Sequence, residues 1–268
     1  MAGDMSGSAA AERYGANDAP RVHYASIVVI GGGCYGTYYV RQLLRGRDAG
    51  ALEFDRVLVV DRNENCQVAS IARGASSVRI VHQEWEPFFD EYLSAAARDA
   101  SGDADAIVPS PLMPHLMFDW LMRRAIARWP HRTVERRALP RAPNVPWQRA
   151  MPSGTHVVSF AEWICPVNCV EPAMCPVIKG PRTWSMPAAV RAYVQASKRG
   201  DTPLAGPVIF HCEHRAYGVG MFDTRAVLEG DALIARVAES AGADVLVGTV
   251  SHCHGALDVL HIGGGHGG

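Results

Sequence analysis

Val28-Val-Ile-Gly-Gly-Gly-Cys-Tyr-Gly36 closes an apolar, β-branched run, Tyr24 to Ile30, and opens into Tyr35 to Leu44, where apolar residues return at helical spacing. A buried strand that stops on glycines and continues as a helix has a physical purpose. Gly31 permits the tight turn, Gly33 lets the backbone approach a pyrophosphate, and Gly36 lets the helix pack close to the strand. The free N–H groups of the helix start and its positive dipole end favour phosphate there. Cys34 and Tyr35 fill the variable positions, and the bulky Tyr35 must point away from such a ligand.

Outward from the turn the pattern alternates. Arg56 to Val60 reads as a second buried strand ending on Asp61, an acceptor for an adenosine ribose, and the stretch 46–54 lengthens the loop before it. Ser77 to Val81 is a third strand, Pro87 to Ala97 a helix, Ala104 to Val108 a fourth strand, and Pro114 to Trp129 a further helix. With this motif in this context, residues 24 to about 129 resemble the Rossmann superfamily of NAD(P)- and FAD-binding proteins. The resemblance implies an NAD(P) or FAD site on Gly31, Gly33, Gly36 and Asp61, and leaves the reaction open. The carboxylate of Asp61 favours NAD over NADP, a preference that the neighbouring Arg62 weakens.

The expected fold is α/β, a doubly wound, mostly parallel sheet of Rossmann type with a Cys-rich metal-binding loop in the second half. Residues 1–21 read as a disordered leader, 22–130 as the dinucleotide-binding half, and 131–154, rich in proline, as a connection. Residues 155–262 form a second α/β half with strands at Thr155 to Phe160, Pro207 to Phe210 and Asp244 to Val250, helices at Pro187 to Lys198 and Thr224 to Ala241, and a frayed tail at 263–268. A formal net charge of −1 gives no case for nucleic acid or an anionic membrane, and no apolar run reaches the roughly 18–20 residues of a membrane span. Without a signal-like start the chain is expected in the cytoplasm, where its seven cysteines stay reduced and suit metal binding or catalysis better than disulfides.

The sharpest chemical signal is Cys165-Pro-Val-Asn-Cys169-Val-Glu171-Pro-Ala-Met-Cys175-Pro. Thiolates this closely spaced can converge on a soft metal or a cluster, and the Cys-Pro pairs are shared with ferredoxin loops, although C-x3-C-x5-C matches neither those runs nor the zinc-knuckle pairs. Iron–sulfur is therefore expected ahead of zinc. His211-Cys-Glu-His214 and Ser251-His-Cys-His254 follow strands and offer further ligands at the same sheet edge: Cys212 first, then Cys253 with His211, His214, His252 and His254. The plainer alternatives are Cys212 and Cys253 as small buried residues, and His252 and His254 as helix caps.

His115 and Glu171 are candidate proton-transfer residues, against the plainer reading of His115 as a cap and of Glu171 as an oxygen ligand. Together these signs predict an oxidoreductase that binds NAD(P) or FAD with a Cys-ligated metal centre and acts on a small molecule or a redox partner protein. A sensor or assembly protein that binds nucleotide and metal without turnover, and a dehydrogenase with a structural zinc loop, are the alternatives.

Overall fold

The computed structural model describes residues 23–99, 104–199 and 202–265. Strand β1 (His23–Ile30) lies in parallel register between β2 (Glu53–Asp61) and β4 (Asp105–Val108), and β3 (Val78–His82) flanks β2. The parallel order is therefore β3-β2-β1-β4, with crossovers through helices α1 (Cys34–Asp48), α2 (Ala69–Ala72) and α3 (Trp85–Asp99). Ile27, Val28 and Val29 are fully enclosed, as expected of a strand covered on both faces. Helix α1 starts at Gly33 and carries Arg45 and Arg47 in its last turn, where cations offset the dipole.

Beyond β4 the expected architecture is overturned. Helix α4 (Leu116–Arg128) follows β4, and then β5 (Val134–Arg137), β6 (Trp147–Ala150) and β7 (His156–Ser159) form strands of a second sheet. The segment 131–154, read as a connection, thus contributes two strands to it. After the short β8–β9 ribbon (Met174–Cys175 and Gly180–Pro181) come α5 (Met186–Ser197), β10 (Ala205–His211), β11 (Glu213–Ala216), β12 (Val219–Asp223), α6 (Thr224–Val237), β13 (Ala243–Val250) and β14 (His254–Ile262). The second sheet runs β10-β13-β14-β7-β6, with β5 also on β14, and only its β10–β13 pair is parallel. The β11–β12 hairpin instead joins the first sheet, antiparallel against β4. The fold is two mixed sheets, not one doubly wound, mostly parallel sheet.

Two hairpins account for the difference. Tyr217 and Gly218 both adopt positive φ, 41° and 83°, the geometry of a two-residue type I′ turn whose twist suits paired strands. Ser251 to Cys253 turns β13 directly into β14, closed by the Ser251 N–H to the His254 carbonyl at 2.8 Å. A chain returning through so short a turn can only pair antiparallel.

One apolar core joins both sheets. Phe222 on β12 and Phe210 on β10 lie 5.4 Å apart between ring centroids, and Phe118, Trp120 and Leu121 of α4 pack in the same cluster. Each such side chain contributes about 1.5–3 kcal/mol by leaving water. The leader 1–21 lies outside the described residues. Gly263 in the expected tail is held by the Thr133 carbonyl at 2.7 Å and by Arg132. Among the described residues no helix is long and apolar enough to cross a membrane.

Candidate functional site

The glycine turn has the geometry its residues suggest. Gly31 sits at φ +83°, and its N–H donates to the Val60 carbonyl at 2.9 Å. A β-carbon on Gly36 would overlap the Gly31 carbonyl oxygen, so only glycine lets α1 start this close to β1. A β-carbon on Gly33 would meet nothing within 4 Å, which leaves the helix N-terminus open. No side chain caps that terminus and its first turn holds no acidic residue. Asp61 accepts the Gly32 N–H at 2.7 Å and the Asn63 N–H at 2.8 Å, so the acid at the end of β2 is bound to the turn itself. Cys66 fills the other side of Gly32 and is a buried packing residue, while Cys34 is exposed at the start of α1.

The carboxyl ends of β7, β10 and β13 share one edge of the second sheet, and that edge adjoins the end of β4. A cavity of about 740 Å³ lies there, between Tyr35 and Tyr39 of α1, Ser110 after β4, Cys165 of the cysteine loop, Cys212 and His254. A smaller one of about 390 Å³ brings together Cys165, Cys169, Cys253, His214 and His254 beside Glu171. The structure thus assembles most of the expected Cys and His candidates at one place, from three separate segments.

Glu171 organises that place. Its Oε1 accepts from the Ser251 hydroxyl at 2.6 Å and the Cys253 N–H at 3.1 Å, and its Oε2 accepts from the His252 N–H at 2.9 Å. Burial opposes its ionisation, but these hydrogen bonds and nearby His214 outweigh burial and hold its pKa below the ordinary carboxylate value. It is an anion that pins the cysteine loop to the β13–β14 turn, with both oxygens engaged. Arg182 reinforces the loop through the Glu171 carbonyl, and Gly218 leaves room for the backbone of Asn168.

Two imidazoles have settled tautomers. The Ser159 hydroxyl donates to the Ala161 carbonyl at 2.7 Å, so its oxygen accepts from Nδ1–H of His254 at 2.9 Å. His214 donates from Nδ1 to the Cys169 carbonyl at 2.6 Å. In the neutral form of each ring the hydrogen therefore sits on Nδ1, and Nε2 is the nitrogen left to ligate a metal or accept a proton. Burial holds His254 below the ordinary histidine value.

The thiols are a weaker match to a cluster. Cys165 is half-buried, its thiol pushed up by burial and then by Cys169, with Cys175 also contributing. Cys212 lies in the apolar core with its thiol pushed up to about 12 by burial, and lines the larger cavity rather than the smaller. Cys253 is likewise pushed up to about 12 by burial, and its sulfur accepts from the Trp184 indole at 3.2 Å. Among the described residues no three of His, Cys, Asp and Glu stand together so as to hold an ion. A four-thiolate centre on Cys165, Cys169, Cys175 and Cys212 does not fit this arrangement. His211 and His252 face each other at 3.2 Å between ring nitrogens, and His211 also meets Glu213. His252 lies within the β13–β14 turn and His254 opens β14; neither imidazole caps a helix, although the His252 carbonyl accepts the Met186 N–H at the start of α5 at 2.9 Å.

The residues from α4 through the end of β14 decide the relationship. A family described as "Uncharacterized protein, C-terminal domain" (AF_1314_C) matches residues 117–263, more than half of the chain. The chain belongs to this family. The AF_1314_C match takes in the cysteine loop, both His/Cys clusters and all of the second sheet, while the glycine turn lies outside it. No curated protein and no solved structure matches the chain.

Sequence reasoning missed Ser159 and Trp184, which set the tautomer and the thiol contact and stand in no motif, and it gave no role to Ser251, which opens the Ser251-His-Cys-His254 cluster and sets the turn. It also missed Arg136 and Asp258, which surround His115. Asp258 alone carried a signal, as a charged residue inside an otherwise apolar run.

Proposed function

We propose that the chain binds an adenine dinucleotide, NAD(P) or FAD, on Gly31, Gly33 and Gly36, and works as an oxidoreductase. The observation that carries this reading is the open approach to Gly33 at an uncapped helix N-terminus, in a β1–α1 turn that glycine alone permits. It is the turn that the Rossmann superfamily uses for pyrophosphate. Asp61, already aligned by Gly32, offers its remaining lone pairs to a ribose hydroxyl. The dinucleotide supplies hydride or electron transfer; the chain supplies the turn, the acid and the Tyr35–Tyr39 face of the adjoining cavity. A cytoplasmic setting agrees with seven unpaired thiols.

Equilibrium binding of NADH, NADPH and FAD to the purified chain tests this. Micromolar binding of one of them, weakened at least tenfold in Gly33→Val, is expected. No binding at millimolar ligand would remove the reading, and binding without any redox turnover would move the chain to a nucleotide-responsive sensor or assembly protein.

A second reading is an ion on mixed Cys and His ligands: Cys165, Cys169, His214 and His254 line one small cavity, and because they do not stand together as a ready ligand set they would have to close on the ion. Metal analysis with a visible spectrum tests it. Stoichiometric zinc, lost in Cys165→Ser and in His254→Ala, is the expected result; broad absorbance near ~400 nm with acid-labile sulfide would instead restore an iron–sulfur cluster.

A further inference from the structure

His211 ends β10 and His252 lies in the β13–β14 turn, and their rings face each other at the carboxyl edge of the second sheet. Nε2 of His211 stands 3.2 Å from Nδ1 of His252. Neither ring lines the cavities around Cys165 and His254, and both are partly open to solvent, with side chains 24% and 36% exposed.

Two facing imidazole nitrogens can share a hydrogen or a metal ion, and the spacing here suits the ion. Zinc–nitrogen bonds of about 2.0–2.1 Å at a tetrahedral angle set two nitrogens about 3.3–3.4 Å apart. The ring centroids are 4.9 Å apart, with 57° between the ring planes. That distance is shorter than the nitrogen separation plus two ring radii, so the rings are tilted off the nitrogen–nitrogen line. Such a tilt weakens a shared hydrogen, and two ligands of one ion require it.

The backbone fixes both ligands before any ion arrives. His211 pairs with Val250 across β10–β13. The His252 N–H donates to Glu171 Oε2 and its carbonyl accepts from the Met186 N–H, each at 2.9 Å. The surrounding charge favours a cation. Glu213 Oε1 lies 3.4 Å from Nδ1 of His211, on the side where a carboxylate orients a ligating imidazole, and Glu171 Oε2 lies 3.8 Å from Nδ1 of His252. Arg191 of α5, an exposed cation, opposes these two carboxylates. Burial holds His211 below the ordinary histidine value, so at neutral pH it is the unprotonated ring, the form that ligates.

We propose that His211 and His252 together bind one divalent transition cation of the zinc, nickel or copper type, with water in its remaining positions. No third His, Cys, Asp or Glu among the described residues stands ready to close the site, so the ion is exchangeable. It ties the end of β10 to the β13–β14 turn. The site is separate from an ion on Cys165, Cys169, His214 and His254, and it needs no nucleotide. An exchangeable ion leaves during purification, so it has to be added back to be seen.

Zinc alone is the probe, measured by competition with a chromophoric chelator. The full chain carries Cys165→Ser and His254→Ala, which removes the other candidate ion site. One zinc of micromolar affinity is expected, weakened at least tenfold by His211→Gln and by His252→Gln, with no competition from magnesium. Glu213→Lys, at a half-exposed position, replaces neither ring and should weaken zinc several-fold; it decides the matter if a histidine variant fails to fold. Zinc binding no tighter than millimolar, an affinity unchanged in these variants, or competition by magnesium would overturn the proposal and leave the two rings to a shared hydrogen.

Discussion

Gly36 packs so closely on the carbonyl oxygen of Gly31 that a β-carbon there has no space, while three positions nearer the strand Gly33 faces nothing within 4 Å. One glycine is required by packing and the other by access. The turn therefore separates a folding role from a binding role within six residues.

Substitution should expose that separation. Gly36→Ala forces backbone apart and is expected to cost about 3 kcal/mol or more of stability, read as a lower urea midpoint. Gly33→Ala, at φ −76°, introduces no clash and should change stability by less than about 1 kcal/mol while lowering dinucleotide affinity at least tenfold. Equal loss of stability in both variants would show that Gly33 is a packing residue too.

Asp61 gives a second division. Its Oδ2 holds the Gly32 N–H and its Oδ1 the Asn63 N–H, so Asp61→Ala leaves two backbone donors to find water. The expected cost is about 1–3 kcal/mol. With the carboxylate gone, repulsion of a 2′-phosphate also goes, and the preference for NADH over NADPH should fall at least tenfold in a binding titration. An unchanged ratio would place the ribose away from Asp61.

The β1–α1–β2 unit is legible because each signal in it is local: a β-branched run, glycines, then helical spacing. The remainder depends on two turns with weak signals. Tyr217-Gly218 closes β11–β12 with an aromatic residue at positive φ where Asn or Asp is the common choice, so the hairpin reads as loop. Ser251-His-Cys-His254 reads as a ligand cluster after a strand, which hides the turn into β14 and with it the antiparallel half of the sheet. The Cys and His candidates were legible as chemistry, and the edge they share follows from β7, β10 and β13 running the same way. Their partners were not, since Ser159, Arg136 and Asp258 gain meaning only once distant strands are adjacent.

Glu171 was read as a candidate proton donor or ligand, and its contacts make it the anchor of the cysteine loop. Glu171→Gln removes the charge behind three hydrogen bonds from Ser251, His252 and Cys253 and should destabilise the chain by about 1–3 kcal/mol. The local effect should be larger than the global one. Trypsin should cut after Lys179 or Arg182 several-fold faster than in the wild type, and Glu162→Gln, at an exposed position of the same loop, should not change the rate. Equal rates in both variants would mean that the loop is held elsewhere.

His115 and Asp258 give the chain two opposed pH dependences. Burial, with Arg136 adding to it, lowers His115 to about 4, and burial raises Asp258 to about 6 against the pull of Arg136. For Asp258, raised from an unfolded value of about 3.9, the contribution is complete below pH ~4 and lost as pH rises through about 6. For His115, lowered from about 6.5, it is complete above pH ~6.5 and lost as pH falls through about 4. The two slopes overlap between pH 4 and 6 and largely cancel in the wild type. Removing one member should uncover the other. Relative to wild type, His115→Phe should lose about 2–3 kcal/mol of stability between pH 4 and 6.5, and Asp258→Asn should gain a similar amount over the same interval. Urea midpoints at pH 4.5 and 6.5 for the three proteins read this directly. Arg136 and Asp119 face the pair in all three and contribute a common background. Slopes of the same sign in the two variants would show that burial does not set these two groups apart.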